Sequence, residues 1–167
     1  MELERRHLVD RRPNKGARVR DYSIEEVNAL SDFRADLHRL AISKIKFPIS
    51  TKILAELRRI ARAYEMAGRD GDYARAIAFD NAFHTCLIEL CENRFLIASI
   101  GEMSAAARAI DCFRIADPTT LSRTVADHQQ IIEAATRSHG SELVELCVNH
   151  VFSSSDNYIR DSLLYRH

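Results

Sequence analysis

Apolar residues recur at three- and four-residue spacing through the chain after residue 22, and that period predicts helices rather than strands. In the first, Val27, Leu30, Phe33, Leu37, Leu40, Ala41 and Ile45 mark one face. It opens at Ser23, an N-cap followed by Glu25 and Glu26, and runs to about Lys46, with Pro48 closing it. A second helix starts at Ser50 or Thr51 and carries Ile53, Leu54, Leu57, Ile60, Ala61, Tyr64 and Met66 as far as Gly68. Asp70, Gly71 and Asp72 form a turn, and a third helix extends from Tyr73 to Cys91. Asn93 caps a fourth, with Phe95, Leu96, Ile97, Ile100, Met103, Ala106, Ala107, Ile110 and Phe113 on its face, which ends before Pro118. A fifth, capped by Thr119 or Thr120, holds Leu121, Val125, His128, Ile131, Ile132 and Ala135 and stops at Gly140. The sixth begins at Ser141 and passes through Leu143, Leu146, Cys147, His150 and Val151 to Ile159 and Leu163. Six helices with short connections predict an all-α fold, an antiparallel bundle occupying residues 23–167.

Residues 1–22 read differently. A short helical piece ends near His7, and the runs LVDRR and ARVRD flank the turn formers Pro13, Asn14, Lys15 and Gly16. This pattern predicts a β-hairpin with a basic tip, too small to be stable alone. Charge follows the same division. The net charge is zero, but residues 1–20 hold seven Lys or Arg against three acidic residues, leaving −4 for the rest. A chain of 167 residues can bury a core without staples. Cys86, Cys91, Cys112 and Cys147 form no CxxC pair and sit among apolar neighbours, so they read as reduced, buried thiols. No apolar run approaches the roughly 18 residues that span a bilayer, and the charged N-terminus lacks the apolar core of a signal peptide. The expected location is cytoplasmic, with no membrane partner.

Candidate chemistry lies in FDNAFHTCLIELCENR, residues 79–94. Asp80 and His84, four residues apart, leave one face of the third helix one turn apart. Phe79, Ala82, Phe83, Leu87, Ile88 and Cys91 surround them, so a carboxylate and an imidazole point toward apolar surroundings, where a polar group needs a partner. His128 and His150 stand on the apolar faces of the fifth and sixth helices. Facing helices bring such residues together to hold metal ions, and imidazole nitrogen with carboxylate oxygen suits zinc and other divalent transition metals. The spacing leaves two accounts open: a metal centre of Asp80, His84, His128 and His150, or separate core histidines bonded to backbone with a local Asp80–His84 ion pair. His7, His38, His139 and His167 lie near termini or on polar faces and read as surface residues.

The segment DNAFH…LIELCENRFL is similar to the D..FH..L....N..L segment of the ligand-sensing FCD domain of GntR-type transcriptional regulators. DHQQIIEAA resembles that domain's EH..I..AI segment, with Asp127 where Glu is usual, and ELCVNHVFSSSDNYI resembles its final A...M..H helix. The similarity spans about residues 23–165 in order and spacing. It implies that Asp80, His84, His128 and His150 hold a divalent ion, zinc first, with nickel, manganese or iron as alternatives. The open positions of that ion would bind the carboxylate of a small organic acid, the effector, with Arg34 and Arg108 as further candidate contacts. The resemblance also implies a homodimer. MELERRHLVDRRPNKGARVRDYS is similar to the end of a winged-helix DNA-binding domain: the close of its recognition helix, then the wing hairpin. DNA is an expected partner only where a complete winged-helix domain stands upstream of Met1.

Two other functions compete with a regulator's sensor. A three-His, one-carboxylate centre with open positions can activate water, which would make the chain a metal-dependent hydrolase. Glu89 and Glu133, the nearby candidates for a general base, fall off the ligand-bearing faces, and no enzyme activity is expected. A sensor-only adaptor that pairs with a full-length regulator is the other.

Overall fold

The computed structural model describes residues 9–12, 16–20, 22–111 and 118–165. Strands β1 (Val9–Arg12) and β2 (Gly16–Val19) pair antiparallel, with Val9 opposite Val19 and Arg12 opposite Gly16. The expected hairpin is present. Its tip, the preceding helical piece with His7, and His167 lie outside the described residues.

Helix α1 (Ile24–Ile42) begins with a reciprocal cap: the Glu26 N–H donates to Ser23 Oγ and the Ser23 N–H donates to the Glu26 carboxylate. Arg20 also pairs with Glu26, and Tyr22 is buried with Val27 and Ala106, which ties the hairpin's exit to the start of α1. The buried stripe of α1 is not the one that hydrophobicity predicts. It runs through Val27, Ser31, Ala35, His38, Ala41 and Ile42, while Phe33 and Leu40 are exposed. Small residues explain this. Ser31 and Ala35 let another helix approach closely, and Ala35 packs with Val148 and Val151. The chain leaves α1 at Ile42, earlier than expected, and turns through Ser43 and Lys44; Ile45 and Ile49 are then buried from a non-helical segment.

Helix α2 (Thr51–Arg69) is capped by Ser50, and α3 (Tyr73–Ile88) by Asp72. A single 3-10 turn, Glu89–Cys91, completes the predicted third helix. Asn93 Oδ1 accepts from the N–H groups of Phe95 and Leu96 at the head of α4 (Arg94–Asp111). Residues 112–117, with Cys112, lie outside the described residues. The described part of helix α5 (Pro118–Thr136) begins at the proline. At the first helical position a proline's missing N–H is no loss, so Pro118 opens this helix and Thr119 and Thr120 fall inside it. Helix α6 (Gly140–Tyr165) ends the described chain.

The fold is an all-α bundle. Helices α1 and α6 form one extensive pair and α2 and α3 another, α5 bridges α2 and α6, and α4 packs on α1, α3 and α6. The largest buried cluster joins Ile42, Leu54, Leu57, Ile60, Phe83, Leu87, Ile131, Leu143 and Cys147. Cys91 and Cys147 are buried and Cys86 is half-buried, all as free thiols, and burial pushes the Cys147 thiol up to about 12. Met66 and Phe95, expected on apolar faces, are exposed at the bundle's surface. Among the described residues no helix is long and apolar enough to cross a membrane.

Candidate metal centre and cavity

Phe83 is fully buried in the main core, which fixes the rotation of α3 about its axis. The residues on either side of that buried position, Asp80 and His84, are thereby turned to the boundary between α3, α5 and α6. His128 comes from α5 with no exposed surface, its ring stacked on Phe83 with centroids 4.0 Å apart and meeting Tyr64 edge-on at 5.2 Å. His150 comes from α6 and is 3% exposed. One ligand atom from each of Asp80, His84, His128 and His150 lies within 4.8 Å of every other. The three imidazole rings are 4.9, 5.2 and 5.5 Å apart, centroid to centroid. Asp80 Oδ1 sits 3.3 Å from His128 Nε2 and 3.8 Å from His84 Nε2.

The structure therefore brings together all four residues that the sequence singled out, from three helices. The simpler account, separate histidines satisfied by backbone, does not describe His128. Both of its ring nitrogens, and Asp80 Oδ1, are buried without a hydrogen bond. Such atoms carry a desolvation penalty of about 1–3 kcal/mol each when nothing satisfies them. Donors on opposite sides of an ion lie about 4.2 Å apart when each bond is about 2.1 Å, so a slight contraction would let these atoms share one cation. The donor set, neutral nitrogens with one carboxylate, fits a divalent transition metal.

Electrostatics keep the donors in their coordinating forms. Burial lowers the His84 imidazole well below its ordinary value and lowers that of His128, each opposed by Asp80. Burial pushes the Asp80 carboxyl up, but His84 and His128 beside it outweigh this and hold it below the usual carboxylate range. The His84 and His128 imidazoles are thus neutral near neutral pH, each with one ring nitrogen free as a lone-pair donor, and the Asp80 carboxylate is ionised.

A residue that sequence reasoning passed over completes the centre. His150 Nδ1 lies 2.9 Å from Asp127 Oδ2. A carboxylate accepts, so Nδ1 carries the proton and Nε2 is left as the nitrogen able to coordinate, with the ring held in place. Asp127 directly precedes His128, so one short segment of α5 supplies a ligand and the brace for another. The adjacent Asp–His pair in DHQQ was the available signal. We predict that Asp127→Asn weakens zinc binding about 10- to 100-fold, measured by competition with a chromophoric chelator. Unchanged affinity would show that the contact does not orient His150.

Beside the cluster lies a cavity of about 160 Å³, bordered by Asp80, His84 and His150. Arg34, one of the two candidate effector contacts, borders it from α1, while the side chain of the other, Arg108, lies outside the described residues. His38 corrects the sequence reading: it is 4% exposed and faces the cavity, one turn beyond Arg34, because the buried stripe of α1 runs along the small residues. Burial first, then the charges of Arg34 and His150, lower its imidazole to about 3. His139 is exposed beside Glu142, as expected of a surface histidine. Glu89 and Glu133 are exposed and line no part of the cavity.

An all-helical bundle with a ligand-type cluster opening on an internal cavity has the layout of a small-molecule receptor rather than of a scaffold. The sequence profile of the FCD domain matches residues 29–153, and the chain belongs to the FCD domain family, the effector-binding regulatory part of GntR-type regulators. Solved structures share the fold at low identity. E. coli McbR/YncC aligns with a TM-score of 0.84 at 12% identity, covering 96% of this chain and 76% of that one. A putative transcriptional regulator GntR from Rhodococcus sp. RHA1 aligns with a TM-score of 0.77 at 14% identity, over 95% of this chain and 75% of its own. Lar, described as controlling expression of the Listeria monocytogenes agr system, gives 0.74 at 16%, over 95% and 76%. No curated protein matches by sequence.

Proposed function

We propose that the chain is the effector-sensing part of a transcriptional regulator in which Asp80, His84, His128 and His150 hold a divalent transition metal, zinc first, and the cavity beside them takes a small organic acid. Nickel, manganese and iron suit the same donors. The observation that carries this reading is the convergence of four donors from three helices, with Asp80 Oδ1 and both His128 nitrogens buried and otherwise unsatisfied. When bound, the metal supplies a positive charge with open positions for the ligand's carboxylate oxygens. Arg34, half-buried in the same cavity, meets that carboxylate from α1 with a charge-assisted hydrogen bond, and Arg108 is the second candidate contact. In this reading residues 23–167 form the sensor and residues 1–22 close a winged-helix module. The working unit is a homodimer, and DNA contact needs the remainder of that module. Ligand binding then biases the placement of two DNA-binding modules, a coupling between distinct sites.

The test is calorimetric titration of short monocarboxylates, acetate to hexanoate, into metal-free and zinc-loaded protein. Binding is expected only with zinc, and Arg34→Ala should weaken it about 10- to 100-fold, the size of a hydrogen bond to a charged group. Equal binding with and without zinc would refute the metal's part in recognition.

A further inference from the structure

Deep in the fold, an imidazole normally finds a hydrogen-bond partner. His38 is buried, yet among the described residues it makes no hydrogen bond; its ring meets that of His84 edge-on, with centroids 6.1 Å apart. It stands outside the four-donor cluster. It faces the cavity from α1, and Arg34, one turn earlier on the same helix, does too. Residues four apart on a helix place their side chains next to one another, so a carboxylate held between the metal and Arg34 brings its first carbon atoms past His38.

The remaining wall sorts the ligand's other end. Ile88, Ile97, Ile100 and Val151 make most of it apolar; of its polar residues, the Ser104 hydroxyl donates to the Ile100 carbonyl, the Asn81 amide donates to the Ile77 carbonyl, and Thr85 is exposed. A polar substituent far from the carboxylate would meet hydrocarbon, whereas one beside the carboxylate meets an imidazole able to donate or accept.

We propose that His38 is a specificity-determining residue that hydrogen-bonds an uncharged oxygen substituent next to the ligand's carboxylate, so that the cavity selects short hydroxy- or oxo-acids over the unsubstituted acids. The inference rests on the carboxylate-sensing reading above, and the experiment separates the two. Zinc-loaded protein is titrated calorimetrically with butanoate and with 2-hydroxybutanoate, in the wild type, His38→Phe and His38→Gln, with zinc content measured in each.

In His38→Phe, 2-hydroxybutanoate should weaken about tenfold and butanoate less than about twofold, the difference being one hydrogen bond. Part of the preference should return in His38→Gln, whose amide can still donate and accept. The inference is overturned if His38→Phe weakens both acids equally, if it changes neither, or if both variants lose zinc, since His38 would then serve the centre and not the ligand. Failure of both acids to bind the wild type would overturn the carboxylate reading itself, and this inference with it.

Discussion

Zinc at about 1,000 times its dissociation constant should stabilise the fold by about 4 kcal/mol, and at about 2–4 °C per kcal/mol for a chain of this size the melting temperature should rise by about 8–16 °C. Chelation should reverse the rise, and elemental analysis should find one ion per chain. His128→Ala is the decisive variant. It opens a cavity under Phe83 and Tyr64, but it also removes two buried nitrogens that lack hydrogen bonds. These effects oppose each other, at about 1–3 kcal/mol for each unsatisfied group, so the metal-free variant should melt near the metal-free wild type while its response to zinc is lost. A zinc response in His128→Ala equal to that of the wild type would sink the proposed centre.

Acid should unfold the metal-free protein steeply. His38 has its imidazole lowered to about 3, and those of His84 and His128 are lowered too, burial being the first cause in each. Below the ordinary histidine value of about 6.5 the unfolded chain takes up protons that the folded chain refuses. Stability is therefore full above that pH and falls as the pH drops through the window, which for His38 extends down to about 3. Each such histidine contributes a slope of about 1.4 kcal/mol per pH unit, so three together give at most about 4 kcal/mol per unit. The lowered Asp80 adds loss of the same sign at more acid pH. Against a total stability of about 5–15 kcal/mol, urea midpoints should fall sharply between pH 7 and pH 5. His38→Phe should flatten the dependence by about a third, as one of the three groups leaves the sum. Midpoints that stay constant over that range would show that these imidazoles are not held neutral by the fold.

Much of this was legible in the chain, because helical period and caps are local. Ser23, Ser50 and Asn93 cap helices as expected, and the spacing of Asp80 with His84 on α3 already placed both near the core. The order of His128 and His150 along their own apolar faces carried the rest of the cluster. What the sequence hid was set by tertiary packing. Phe33 and Leu40 look like core residues of α1, yet Ser31 and Ala35 are the buried ones, because close approach of α6 needs small side chains more than hydrophobic ones. That rotation of the buried stripe carried His38 from an expected surface to the cavity. Asp127 was missed for a similar reason, since its task is defined by His150, 23 residues later. Pro118 was read as a stop, and the described helix beginning on it shows that a proline marks a helix start equally well.

The donors come from α3, α5 and α6 alone, whereas the facing parts of the cavity belong to α1 and α4, with Arg34 and His38 on one and Ile97, Ile100 and Gly101 on the other. The site is thus a vice with one fixed jaw and one separate jaw. A metal held by these four residues would clamp the three donor-bearing helices to each other and leave the opposite pair without a share in its coordination. Under the proposed function, a bulkier acid would press outward on α1 and α4. Through Tyr22, packed on Val27 of α1 and Ala106 of α4, and through the Arg20–Glu26 pair, that same jaw is the one fastened to the N-terminal hairpin, so under the proposed function the size of what enters the cavity would be converted into displacement where the hairpin leaves off.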